Sequence, residues 1–216
     1  MVQPADNISA SSSLIVFTRY PQTGQTKTRL IPVLGASGAA MLQRQMTEHL
    51  IGKLQPFCQA RSLYLNVHFA GGSQSQMTAW LGSDINLTTQ CAGSLGEKLI
   101  YATTQAFLEG RQQAIVIGSD CPAISGKEID RSLALLESFD VVLGPAADGG
   151  YYLIALKAMH RCLFQGIPWG TSGVLVATKA IARRHHLSVA LLPVLADIDR
   201  PEDLPLWEAQ KASCSF

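Results

Sequence analysis

LIVFTRYPQTGQTKTRL, residues 14–30, passes from four apolar residues into a polar run that holds Gly24, Lys27 and Arg29. An apolar run without alternation, followed by Pro21 and Gly24, reads as a strand buried on both faces, residues 14–18, that delivers the chain into a loop. The same transition recurs at AIVIGSDCP, residues 114–122, where the apolar run 114–118 ends in an acidic turn. Further strand-like runs lie at 62–69, 85–89, 141–144, 151–156 and 187–194, each bounded by Gly, Pro, Ser or Asp. Between them, Met41, Leu42, Met46, Leu50 and Leu54 recur at helical spacing, as do Leu99, Thr103, Ala106 and Phe107, and then Ile129, Leu133 and Leu136. Ser94-x-x-Glu97 and Ser125-x-x-Glu128 are capping boxes that start two of these helices. Alternating strands and helices predict an α/β fold, with one mostly parallel twisted sheet covered by helices on both faces. Ligands bind such a Rossmann-like sheet beyond the carboxyl ends of its strands.

Composition bounds what the loops can serve. With 216 residues, 47% of them hydrophobic, the chain can build one substantial core, expected over residues 14–216 behind a polar tail, 1–13, expected to be disordered. Lys and Arg number 17 against 16 Asp and Glu, and no basic block stands out, so the footprint of a nucleic-acid binder is absent. Cys58, Cys91, Cys121, Cys162 and Cys214 are scattered and never in C-x-x-C spacing, which argues against a disulfide framework or a structural zinc and for a reducing cytoplasm. The N-terminal residues lack the charged and apolar regions of a secretory signal, and no apolar run approaches the roughly 20 residues of a membrane span.

Three loops after predicted strands carry unusual chemistry. In the first, Gly24 lets a ligand approach the backbone, Lys27 offers a point charge and Arg29 a two-pronged donor for phosphate oxygens, although G-x-x-x-x-G-K-[ST] is not satisfied. The competing reading is a turn with solvated charges. In the second, Asp120 stands where a substrate-bound divalent cation would sit, or else caps a turn ahead of Pro122. Cys121 beside it has no His partner and reads as packing. In the third, VVLGPAADGGYYLIAL, residues 141–156, Asp148-Gly149-Gly150 is a hairpin signal, and the Gly pair beside Tyr151 and Tyr152 also leaves room for a sugar-like group.

These segments, together with Q-x-x-G-S-L-G-E-K-L at residues 90–99 and D-I-D-x-P-E-D-L at 197–204, resemble a bacterial family of small GT-A-type proteins within the nucleotide-diphospho-sugar transferases. The chain is similar, too, to molybdenum-cofactor and phospholactate guanylyltransferases. The resemblance covers about residues 14–207 and implies a single-domain GT-A fold, with Thr18, Gly24, Lys27 and Arg29 around nucleotide phosphates. It implies Mg²⁺ or Mn²⁺ on Asp120, with Asp197 or Asp199 opposite, and places Asp148, Gly149, Gly150, Tyr151 and Trp169 beside the transferred group and acceptor. Lys27, Asp120 and Asp148 are the catalytic candidates. Arg200 replaces the family's Thr in D-x-D-T-P-E-D, which leaves Asp199 to cap the final helix, and Thr18, Arg19 and Tyr20 replace the Gly-rich loop of the guanylyltransferases. Glu97 near the donor motif is already explained by its capping box, and His185 and His186 follow Arg183 and Arg184 at a helix end where cations suit the dipole.

The expectation is a metal-dependent glycosyltransferase acting on a nucleotide-sugar donor and a small-molecule acceptor. The alternatives are a nucleotidyltransferase releasing pyrophosphate and a nucleotide-binding module without catalysis.

Overall fold

The computed structural model describes residues 11–212, so the first ten residues of the expected disordered tail, and Cys214, lie outside the described residues. The expected boundary at residue 13 shifts, because the first strand, β1, spans Ser12–Arg19 with Ser12 and Ser13 already buried. All seven predicted strands form. After β1 come β2 (Tyr64–Ala70), β3 (Asn86–Thr89), β4 (Gln113–Gly118), β5 (Val141–Pro145), β6 (Tyr151–Leu156) and β7 (Val189–Leu191). They make one sheet in the order β3-β2-β1-β4-β6-β5-β7. Only β6 runs antiparallel, to both β4 and β5, and the rest pair in parallel.

Both faces are covered, as unbroken apolar strands require. Leu14 and Val16 of β1 join a cluster with Leu50, Leu54 and Ile129, whereas Ile15 between them joins Leu99, Ala102 and Ala182. The first face is closed by helices α1 (Ile31–Ala60) and α4 (Gly126–Leu136), and the second by α3 (Leu95–Leu108) and α5 (Val174–Arg184). A short α2 (Gln74–Leu81) and a C-terminal α6 (Leu204–Ala212) complete the helices among the described residues.

Helix α1 is longer than its periodic core, with Gly35 kinking it at φ 70. Leu42, Met46, Leu50 and Leu54, four apart, form its buried stripe, and Met41, one residue off that stripe, is exposed. Both predicted capping boxes form, at Ser94 with Glu97 and at Ser125 with Glu128, and a third joins Ser73 to Gln76.

Candidate active site

Six of the seven strands point their carboxyl ends at one edge of the sheet, and the β5–β6 hairpin turns at the same edge. After β7 the chain returns along this edge. Ala147 N–H donates to Leu195 O at 2.9 Å, Leu195 N–H to Pro145 O at 3.1 Å, and Ile198 N–H to Asp120 O at 2.8 Å. That return brings Asp197 and Asp199 up to Asp120. A cleft of about 530 Å³ results, lined among others by Thr18, Arg19, Arg29, Gln90, Lys98, Asp120, Asp148, Tyr151, Trp169, Asp197 and Asp199.

Its floor is polar. Thr18, Gln43 and Ser119 line it, and Gln43 Nε2 donates to Thr18 Oγ1, Thr47 Oγ1 and Ser119 Oγ within 3.1–3.3 Å. Ser119 Oγ in turn donates to Thr18 Oγ1 at 2.9 Å. This buried network ties the end of β1 to the turn that carries Asp120. Thr18 thus has its hydroxyl engaged by protein, and Gln43 is a site residue that sequence reasoning missed, because its position within the long helix gave no sign of which strand ends it would meet.

Lys27 is placed differently from the phosphate-facing role expected of it. Its backbone is left-handed (φ 47, ψ 45), a conformation uncommon outside glycine. The side chain, only 6% exposed, turns inward. Its ammonium donates to Ile198 O at 2.5 Å and lies 3.8 Å from Asp120 Oδ2 and 3.7 Å from Asp199 Oδ1. The Arg29 guanidinium pairs with Asp199. Lys27 and Arg29 therefore neutralise the carboxylates, and Lys27 and Gly24 do not line the cleft; Gly24 occupies an exposed turn.

The carboxylates form the opposite pole. Burial first, then the nearby charges of Asp120 and Asp148, push Asp197 up to about 6. A group of acids in which one resists ionisation fits a divalent cation, whose charge would favour the ionised form. Among the described residues no three His, Cys, Asp or Glu side chains converge closely enough to hold an ion alone. A cation here would take one or two carboxylates and complete its shell with substrate phosphate and water, the usual arrangement for Mg²⁺. Asp199 does not cap the final helix, correcting that expectation. The Asp203 carboxylate accepts from the Asp199 and Arg200 amides instead, at 3.0 and 2.7 Å, so Asp199 keeps both oxygens toward Lys27 and Arg29. Cys121 is buried and pushed up to about 12, chiefly by that burial, consistent with packing rather than reactivity.

The hairpin reading of Asp148-Gly149-Gly150 holds, with a five-residue connection between Pro145 and Tyr151 in place of a two-residue turn. Asp148 accepts from Gly150 N–H at 2.8 Å and remains exposed at the cleft. Gly149, at φ 92, is pressed against the next segment, since a Cβ there would stand 2.3 Å from Ser172 O. Gly149 thus serves chain packing, and neither glycine lines the cleft, which Asp148 and Tyr151 on either side of them do. The aromatic wall lies beside it, where Tyr151 and Trp169 meet edge to face with ring centroids 6.1 Å apart.

Residues 54–171 match the family described as an uncharacterized protein conserved in bacteria (DUF2064). No curated protein matches the chain. Among solved structures, a Desulfovibrio desulfuricans G20 protein to which nucleotide-diphospho-sugar transferase activity is ascribed shares 32% identity over 96% of this chain and 90% of its own, with a TM-score of 0.87. Two structures at 13% identity share the fold. One is CMP:2-keto-3-deoxy-manno-octonic acid synthetase complexed with CTP (TM-score 0.57, 94% of this chain, 99% of that one). The other is Mycobacterium tuberculosis glucosyl-3-phosphoglycerate synthase with Mn²⁺, UDP and glucosyl-3-phosphoglycerate (TM-score 0.57, 94% and 76%). The chain therefore belongs to the bacterial family DUF2064 and, through its Desulfovibrio relative, to the transferases of the nucleotide-diphospho-sugar class.

Proposed function

We propose that the protein is a metal-dependent glycosyltransferase that moves a sugar from a nucleotide-diphospho-sugar to the hydroxyl of a small-molecule acceptor. One observation carries this reading: a single cleft sets the Asp120–Asp197–Asp199 carboxylates against a wall of Asp148, Tyr151 and Trp169. Carboxylates of the first group suit a cation bridging to a diphosphate. Aromatic faces and one exposed carboxylate suit the second group to a hydroxyl-rich ring, which a carboxylate accepts from and a phosphate would be repelled by. A bound Mg²⁺ or Mn²⁺, held by Asp120 with Asp199 or Asp197, would supply charge to stabilise the departing nucleoside diphosphate. Lys27 keeps Asp120 and Asp199 oriented toward each other, and Arg29 at the rim pairs with Asp199. Asp148 holds sugar hydroxyls while the acceptor oxygen attacks the anomeric carbon.

The experiment is a turnover assay over a panel of nucleotide sugars and acceptors, with Mn²⁺, Mg²⁺ or a chelator. Release of nucleoside diphosphate coupled to a glycosylated product, abolished by chelator and by Asp120→Asn, is expected. Asp148→Asn should lower turnover while nucleoside diphosphate binding stays unchanged, the pattern of an interaction with the transferred group. Pyrophosphate release from a nucleoside triphosphate and a phosphorylated acceptor, without sugar transfer, would replace this reading with nucleotidyl transfer.

A further inference from the structure

The proposed donor carries a diphosphate, yet the basic residues of the first loop are already engaged. Lys27 is buried against Ile198 O, Asp120 and Asp199, and Arg29 is paired with Asp199. Two other cations line the same cleft, Arg19 and Lys98, and neither side chain makes an ion pair or hydrogen bond among the described residues.

Their placement is specific. Arg19 ends β1, whose neighbour is β4, and Phe17 pairs with Gly118 in that ladder. Arg19 is the last residue of β1 and Asp120 lies in the turn after β4, and both line the cleft where these neighbouring strands end. Lys98 belongs to α3, on the same side as Leu99 and Ala102, which pack on the sheet, and it lines the cleft together with Leu99 and the exposed Leu95. A lysine on the inward stripe of an amphipathic helix normally meets a carboxylate or reaches out to water. Its neighbour Glu97 is held in the capping box, with Oε2 accepting from Ser94 N–H at 2.7 Å while Ser94 Oγ accepts from Glu97 N–H at 3.3 Å.

We propose that Arg19 and Lys98 form the diphosphate clamp of this enzyme, gripping the phosphates of the donor. The inference rests on the nucleotide-sugar reading and reassigns its anion contacts. The clamp selects ligands with two adjacent phosphates, which can reach a cation at Asp120 and both basic side chains at once. Lys98 keeps its charge unpaired for this purpose, and Lys27 and Arg29 hold the acidic pole in place.

The test uses inorganic pyrophosphate with Mg²⁺ as probe, titrated into the full-length protein and read by calorimetry, with a nucleotide-sugar turnover panel run alongside. Arg19→Met and Lys98→Met, which keep an apolar stem, should each weaken pyrophosphate binding about tenfold or more, since each removes a charge-assisted contact. Lys98→Arg should retain binding within about threefold. Thermal unfolding without ligand should not change. Wild-type affinity in Lys98→Met, or no pyrophosphate binding by the native protein, overturns the clamp. Failure of sugar transfer with the clamp intact overturns only the glycosyltransferase reading, so the two are separable.

Discussion

Asp197 sits where two demands conflict, since burial and the charges of Asp120 and Asp148 oppose its ionisation while a cation would need it ionised. Its folded value, about 6, lies above the ordinary carboxylate value of 3.8. The folded chain thus holds an extra proton between these values, and this group's contribution to stability is fullest below about pH 4 and is lost as pH rises through about 6. Asp197→Asn should consequently raise the melting temperature of the metal-free protein at pH 7.5 while weakening Mn²⁺ binding. The group is only half-buried, so solvent screening holds the gain to the order of 1 kcal/mol, or about 2–4 °C in a chain of this size. An unchanged or lower Tm counts against the electrostatic account. Lys27→Met has the opposite sign, because it leaves Asp120 and Asp199 facing one another and Ile198 O without its donor. Both carboxylates are partly exposed, at 48% and 31%, so the loss is on the order of 1–2 kcal/mol. Mn²⁺ should restore more stability to this variant than it adds to the native protein, which differential scanning calorimetry would read directly.

Two elements show how packing sets the cleft's walls. The first turn of α3 presses on the segment that carries Trp169, so that a Cβ at Gly96 would stand 2.4 Å from Phe164 O and 2.9 Å from Trp169 Nε1. Backbone cannot yield as a flexible side chain does, and Gly96→Ala is expected to cost about 1–3 kcal/mol and to shift the Trp169 fluorescence in a background lacking Trp80 and Trp207. At the far edge, β7 is short and is secured to β5 by Asp140. Its carboxylate accepts from Ser188 N–H at 2.8 Å and Ser188 Oγ at 2.6 Å, with Lys157 at 3.2 Å. These bonds, with Ser188 the larger influence, hold Asp140 down to about 2. A depressed carboxylate contributes stability above its unfolded value of 3.8 that is lost as pH falls toward 2. Asp140→Asn should be less stable than the native protein at pH 7 and equal to it near pH 2, as urea titrations at the two pH values would measure.

At the scale of the molecule, metal and nucleotide are expected to act as one ligand. A nucleoside diphosphate with Mn²⁺ at about 100 times its Kd should add roughly 2.7 kcal/mol, some 5–10 °C, and this gain should vanish in Asp120→Asn or with chelator. The strands, the capped helices and the loops at the sheet's edge are legible in the sequence because each rests on contacts a few residues apart: unbroken apolar runs, i to i+4 stripes, Ser-x-x-Glu boxes. Asp120, Asp148 and Trp169 are legible for the same reason, lying directly after or beside such runs. The reversal of β6, the inward turn of Lys27, the recruitment of Gln43 and the unpaired state of Lys98 are not. Each depends on groups far along the chain, as when Lys27 meets a carbonyl 171 residues away. The order of strands in the sheet and the return of the C-terminal segment decide which side chains face the cleft and which charges are neutralised before a ligand arrives. Local sequence thus determined the elements and the loops between them, whereas tertiary structure alone decided the partners of each charge, because desolvation and ion pairing depend on what the whole fold brings within a few ångströms.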